Sequence, residues 1–348
     1  MLLKDYIPNL HNKHHGLSFK GIAFNSKEVK DGYIFFAFKG SNTDGNLFIK
    51  DAIKNGSKII ISDKKKINNF KNNILFLNVK SPRNLLAQFS SKIFNKKPKN
   101  LIAVTGTNGK SSIANFYFQI LNLSKIKVAS IGTLGVDGIK IRNKVSNTTF
   151  DTIQINKILK KLKEKKIENV ILEASSHGLV QKRLDGLNFK SGIFTNFSQD
   201  HLDYHKSMKV YLASKLILFS KLLKRNSYVI SDKSIDQYST LKKISKQKGL
   251  RFLEISKKKD EIEKNGFPLV GQFQLKNLTM AALAAEVCGL KKFKINKAIK
   301  LVKNVNGRLE LVKKYPNDIR VFVDYAHTPD ALREGITSVK KNINNNIS

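Results

Sequence analysis

The chain has 348 residues, 64 Lys and Arg against 26 Asp and Glu, a formal net charge of +38 and a single cysteine. That length gives two or three domains with ample core, and one cysteine excludes an internal disulfide. No run approaches the ~18 apolar residues of a membrane span and Met1-Leu2-Leu3-Lys4-Asp5-Tyr6 lacks a signal-peptide core, so a cytoplasmic protein with no membrane partner is expected.

The first block, to about residue 98, mixes short strands (Tyr33 to Phe38, Lys58 to Ile61, Ile74 to Val79) with a helix from Phe48 to Asn55 closed by Gly56. It reads as a small α/β domain. Lys96-Lys97-Pro98-Lys99-Asn100 is a polar, proline-bearing linker. Strands and helices then alternate: a strand through Leu101 to Ala103, a helix carrying Ile113 to Leu121, Lys127 to Ile131, helix Ile153 to Lys165, Asn169 to Leu172, Ile193 to Asn196, helix Lys209 to Leu223, and Tyr228 to Ser231. Such alternation predicts a mostly parallel sheet with ligands outside the carboxyl ends of its strands. Helix Leu275 to Val287 is alanine-rich and carries Cys288 at its end as a core residue; a Lys-rich amphipathic helix precedes Asn304, and Arg320 to Asp324 opens a third block as a strand.

The excess cations are lysines spread along the chain, with arginine at only eight positions. Base readout and bidentate phosphate contacts favour arginine, so no nucleic-acid partner is expected, although a lysine surface attracts an anionic, nucleotide-linked substrate.

Val104-Thr105-Gly106-Thr107-Asn108-Gly109-Lys110-Ser111-Ser112 stands between a predicted strand and a predicted helix. That order forms a phosphate cradle: the glycines turn the backbone N–H groups towards anionic oxygens, Lys110 reaches the outer phosphates, and the Ser111 hydroxyl ligates Mg²⁺. Val104 stands where the general P-loop pattern has its first glycine, so the loop is a shorter relative of that pattern. Two polar clusters follow strands: Glu173-Ala174-Ser175-Ser176-His177-Gly178-Leu179, and Thr195 to His205 with Asp200, His201 and Asp203. Their carboxylates, hydroxyls and imidazoles suit Mg²⁺ and phosphate oxygens, or else serve as turn and capping networks, His205 and Asp203 as caps of the next helix. A zinc site lacks the cysteine spacing it would need.

Taken in order, Thr105 to Ser112, Glu173 to Leu179, Asp200-His201-Leu202-Asp203-Tyr204-His205 and Val323-Asp324-Tyr325-Ala326-His327-Thr328-Pro329-Asp330-Ala331-Leu332 resemble the Mur ligases. Within that family they most resemble the members that add the third peptide residue, a diamino acid, to UDP-N-acetylmuramoyl-L-alanyl-D-glutamate in peptidoglycan synthesis. The resemblance implies three parts. Residues 1–98 would bind the UDP-muramyl-peptide, 99–310 would form a central P-loop-type ATPase domain with a mostly parallel sheet, and 311–348 would begin a Rossmann-like C-terminal domain.

It also implies roles at matching positions. Ser26, in Asn25-Ser26-Lys27, resembles an Asp-Ser-Arg segment at the UDP end of the substrate, with Ser41, Asn42 and Thr43 in the next uridine-side loop. Asn147, Thr148 and Thr149 match the muramyl-peptide segment, with Phe150 in place of a common proline; Ser175, Gln181 and Arg183 match further substrate positions. Asn277 and Arg308 match nucleotide contacts, and Asp324 a ribose or linker contact. Lys215 matches the lysine that the family carries as a carbamate, which with Ser111, Glu173 and His201 would hold Mg²⁺; Lys110, Glu173, His201 and Lys215 would form the catalytic set. ATP and Mg²⁺ are the implied cofactors, the UDP-muramyl-dipeptide and meso-diaminopimelate the implied substrates, and a monomer the expected state.

The resemblance departs in length. The family's third domain continues past this chain and carries an Asp-Asn-Pro-Arg segment that selects the diamino acid, so an incomplete domain is expected here, either in a fragment or in a natural truncation that binds both nucleotides without ligating. A folylpolyglutamate-synthase-like ligase would share the loop but not the Asp324 to Pro329 and uridine-side segments. A silent nucleotide-binding protein or a basic DNA-binding protein is the remaining alternative, the latter marked by steeply salt-dependent DNA binding.

Overall fold

The computed structural model describes residues 1–40, 43–64, 69–139, 148–267 and 269–344. The chain divides into two compact units: residues 1–96, 151–160 and 181–187 form the first, and 97–150, 161–180 and 188–348 the second.

In the first unit β1 (Gly21–Ala23), β2 (Tyr33–Ala37), β3 (Ile59–Ser62), β4 (Asn69–Lys71) and β5 (Ile74–Asn78) lie in the order β1-β2-β3-β5-β4, parallel except for β4 against β5. Two α-helices lie wholly in this unit, α1 (Ile49–Lys54) and α2 (Pro82–Ile93). The central strands are continuous apolar runs because both faces are buried. Phe35, Ala37 and Ile60 pack with Ala52 of α1, while Ile34, Phe36, Ile59 and Ile61 pack with Leu86 and Phe89 of α2. Gly56 closes α1 at φ +97, as its C-cap position anticipates.

The second unit holds β6 (Asn100–Thr105), β7 (Val128–Gly132), β8 (Gly135–Asp137), β9 (Asn169–Glu173), β10 (Phe189–Phe194), β11 (Leu223–Ser231) and β12 (Arg251–Glu254). Their order is β12-β11-β10-β6-β9-β7-β8, parallel except for β7 against β8. The helices are α3 (Lys110–Leu123), α4 (Thr152–Glu164), whose residues up to Lys160 belong to the first unit, α5 (Ser176–Val180), α6 (Leu202–His205), α7 (Met208–Ile217), α8 (Tyr238–Lys248), α9 (Ser256–Lys264), α10 (Gln272–Val287) and α11 (Lys292–Ile299). An antiparallel pair, β13 (Glu310–Lys314) and β14 (Arg320–Val323), and α12 (Pro329–Asn344) follow. The core of this unit joins Ile113, Phe116, Tyr117, Ile120 and Leu121 of α3 to Leu275, Leu278 and the alanines of α10, whose small side chains let the two helices approach.

Three elements differ from the sequence reading. The helix expected over Lys209 to Leu223 stops at Ile217 and passes through a π-turn at Leu218–Leu222, because Leu223 pairs with Phe189 as the first residue of β11. β10 begins at Phe189 and ends at Phe194, leaving Thr195 and Asn196 to turn out of the sheet. β12 extends the sheet at Arg251–Glu254, where an exposed, charged edge carries no alternating pattern. Among the described residues no helix is long and apolar enough to cross a membrane. Replacing Leu278, fully buried in the seam of α3 and α10, by Ala is expected to destabilise the second unit by about 2–5 kcal/mol in urea unfolding, whereas a loss below about 0.5 kcal/mol would remove that seam from the core.

Candidate phosphate-loop site

Register builds the site. Thr105 of β6 stands opposite Phe194 of β10, and Val104 opposite Glu173 of β9, so the segments that follow these strands leave the sheet side by side. Gly106 has φ +148 and Gly109 φ +86. A Cβ on Gly106 would overlap Thr195 Oγ1, and one on Gly109 would lie 2.6 Å from Asn277 Oδ1, so both positions require glycine. The segment after β10 clasps the loop. Asn108 N–H donates to Asn196 Oδ1 at 2.8 Å, Thr195 Oγ1 donates to Asn108 O at 2.6 Å, and Ser198 N–H donates to Thr107 Oγ1 at 3.1 Å. Lys110 opens α3 and folds its Nζ onto Gly106 O at 3.0 Å and Thr107 O at 2.7 Å. Desolvation lowers its pKa, with Glu173 and Asp200 opposing and Arg308 adding to the fall. An ammonium beside the positive end of a helix suits polyphosphate.

Glu173 ends β9 as a buried carboxylate. Its Oε1 accepts from Thr133 N–H at 2.9 Å, and its Oε2 accepts from Thr133 Oγ1 and Ser111 Oγ, each at 3.1 Å. Gly132 leaves the room, since a Cβ there would overlap that carboxylate. Arg308 Nη2 donates to Ser111 Oγ at 3.3 Å, and its guanidinium lies 4.6 Å from the Tyr325 ring centroid. Asn277 is buried over Gly109, Ser112 is buried in the first turn of α3, and Asp324 Oδ1 accepts from Ala326 N–H at 3.0 Å.

His201 has φ +51, stands 3.4 Å from Asp200 and meets the His177 ring edge-on at 5.0 Å. Burial lowers its pKa, Asp200 opposes, and Lys110 and Lys215 add to the fall. Lys215 is 1% exposed and donates to Gly106 O at 2.7 Å. Burial holds its pKa well below the usual lysine range, and Lys110 pushes the same way. The capping role read for His205 goes instead to Ser207, which accepts from Val210 N–H at 3.3 Å and begins α7. His205 is buried with its Nε2 3.0 Å from Ser176 Oγ, and burial pushes its pKa down to about 4.

Thr149 Oγ1 donates to Glu173 O at 2.9 Å and also lies 2.9 Å from Ser175 Oγ, and Thr148 Oγ1 lies 3.2 Å from Thr133 Oγ1, so these substrate candidates adjoin Glu173. Ser26, Thr43 and Gln181 instead line a cavity of about 820 Å³ in the first unit. Gln181 Oε1 accepts from Arg183 Nη2 at 2.8 Å. Ser41, Asn42 and Asn147 lie outside the described residues. Sequence reasoning missed Arg83, which lines that cavity with its guanidinium 4.4 Å from the Phe38 centroid, and Thr133, which holds both oxygens of Glu173. Scarcity of arginine was the available signal for the first, and a Gly-Thr pair at a strand end for the second.

Ser111 and Glu173 set hard oxygen donors beside the loop, a fit for Mg²⁺, which takes few protein ligands and keeps its waters. Among the described residues no group of three or more His, Cys, Asp or Glu side chains is placed to hold a metal ion. Fold and site together define an α/β enzyme of the phosphate-loop class.

The family described as Mur ligase middle domain matches residues 104–266, and that described as Mur ligase family, catalytic domain, matches residues 18–93. The UDP-N-acetylmuramoyl-L-alanyl-D-glutamate--2,6-diaminopimelate ligase of Rickettsia montanensis is 39% identical over 346 residues, covering 92% of this chain and 71% of its own. The ligase of the same name from Brucella melitensis is 34% identical over 343 residues, covering 92% and 70%. A solved structure bearing that ligase name superposes with TM-score 0.79 at 24% identity, over 98% of this chain and 74% of the other. The MurF ligase of Thermotoga maritima, in complex with ADP, superposes with TM-score 0.57 at 18% identity, over 93% and 75%. The chain belongs to the Mur ligase family, and is by class an ATP-dependent amide ligase. Gly106→Ala is expected to weaken affinity for a non-hydrolysable ATP analogue at least about tenfold in calorimetry, while unchanged affinity in the folded variant would detach this loop from the nucleotide.

Proposed function

We propose that this chain joins 2,6-diaminopimelate to UDP-N-acetylmuramoyl-L-alanyl-D-glutamate at the expense of ATP, in the synthesis of peptidoglycan precursors in the cytoplasm, as a monomer. The observation that carries the reading is the relative of that name, 39% identical over 92% of the chain, together with the Lys110, Ser111 and Glu173 cluster at the loop. Residues 1–98 would take the UDP-muramyl end of the substrate, 99–310 the ATP, and 311–348 would belong to the ligase domain.

The γ-phosphoryl group passes to the free carboxylate of the D-glutamyl residue, and the amine of the diamino acid then attacks the acyl phosphate and displaces phosphate. Such a transfer is positioning and charge neutralisation. The loop N–H groups and Lys110 hold the phosphates; Arg308, bonded to Ser111, adds a second cation on the same side. Ser111, Glu173, His201 and a carbamylated Lys215 would hold Mg²⁺, which when bound neutralises charge developing on the transferred group. Asn277, packed over Gly109, and Asp324 would place the nucleoside. Thr148, Thr149 and Ser175 adjoin Glu173 and would position the peptide carboxylate near the phosphates. Ser26, Thr43, Gln181 and Arg83 would hold the UDP end, where arginine matches a diphosphate.

Titration of the chain with the UDP-muramyl-dipeptide, Mg²⁺ and an ATP analogue is expected to give saturable binding. Lys110→Ala is expected to lower ATP turnover by about 10²-fold or more with the fold intact. No substrate binding by a folded chain would overturn the substrate assignment, and unchanged turnover would overturn the assignment of the loop.

A further inference from the structure

Tyr211 is 1% exposed and packed between two rings, Phe197 at 5.2 Å and His205 at 5.1 Å. Its hydroxyl lies 3.4 Å from Thr107 Oγ1 of the phosphate loop, and the His201 ring meets it edge-on at 6.1 Å. One helical turn further along α7, Lys215 brings its Nζ to 4.2 Å from the Tyr211 ring centroid while donating to Gly106 O. One buried ring therefore touches the loop, the candidate ligand His201 and the amine of Lys215.

We propose that Tyr211 is the positioning residue for Lys215: its ring face and the Gly106 carbonyl hold Nζ at one point, which gives the carbamate a single orientation. This rests on the reading of Lys215 as a carbamate. In that modification the neutral amine of Lys215 bonds to the carbon of CO₂, a proton leaves to water, and the nitrogen keeps one N–H beside its two new oxygens. Gly106 O already accepts from that nitrogen and can serve the remaining N–H. The ring lies against the same nitrogen, so the two contacts together restrict the directions the oxygens can take. A free lysine side chain would spread over its rotamers and lose that direction on every turnover. A ring that merely filled the core would affect stability and leave the chemistry of Nζ alone.

Carbon NMR of the whole chain in isotope-labelled bicarbonate reads the carbamate directly. Wild type is expected to show a carbamate resonance that Lys215→Arg lacks; no such resonance in wild type overturns the reading of Lys215 and this proposal with it. Given that resonance, Tyr211→Phe, which keeps the ring, is expected to stay within about twofold of the wild-type bicarbonate half-saturation, and Tyr211→Leu to need about tenfold more. Tyr211→Met, a flexible filler of the same space, supplies the reading if the leucine variant does not fold. Phe219→Leu removes a fully buried ring outside this cluster, packed on Phe194 at 6.0 Å, and is expected to leave the half-saturation at its wild-type value. A folded Tyr211→Leu or Tyr211→Met chain with wild-type half-saturation, or a Phe219→Leu shift of equal size, overturns the positioning role and leaves the reading of Lys215 standing.

Discussion

The parallel pairing of β6 with β10 on one side and β9 on the other is the constraint on which the rest depends. It sets Thr105 opposite Phe194 and Val104 opposite Glu173, so the three strands end together at one edge of the sheet. A slip of one residue would turn every side chain of β6 to the other face, and a strand buried along its whole length tolerates none. The phosphate loop, its clasp from Thr195 to Ser198, and the carboxylate of Glu173 are thus positioned by backbone hydrogen bonds before any side chain of the site is considered.

Within that frame the electrostatics are local. Gly106 O receives both Lys110 and Lys215, which places a partly buried amine and a buried one side by side. Both are lowered in pKa by burial, and the nearby acids Glu173 and Asp200 temper Lys110. The net charge of +38 belongs mostly to exposed lysines elsewhere and acts over longer range, as a diffuse attraction for anions. An ammonium, a helix N-terminus and an arginine concentrated at one loop form a local positive site that the diffuse surface charge does not.

Much of this was legible in the chain. The loop between Val104 and Ser112 announced itself because glycine spacing and a lysine in the first turn of a helix serve few purposes besides phosphate binding. The alternation of elements gave the parallel sheet, and the polar clusters at Glu173 and His201 fell at strand ends as read. The π-turn at Leu218–Leu222 was hidden because its apolar residues continue a helical period, while the pairing of Leu223 with Phe189 is a long-range event. The partners of Thr133 and Tyr211 were not legible, although a Gly-Thr pair at a strand end marked the first. Nothing in a Gly-Thr pair or a tyrosine on a helix says which carboxylate or amine it will meet.

Sequence by itself determined the local chemistry: a backbone able to reach φ +148 at Gly106, a lysine at the start of α3, and apolar runs that had to be strands buried on both faces. Tertiary structure decided the company these residues keep. Ser111 meets Glu173 across 62 positions and Lys215 meets Gly106 across 109. Such meetings follow from strand order and register, and these are settled by burial summed over the whole sheet, which no short window of residues contains.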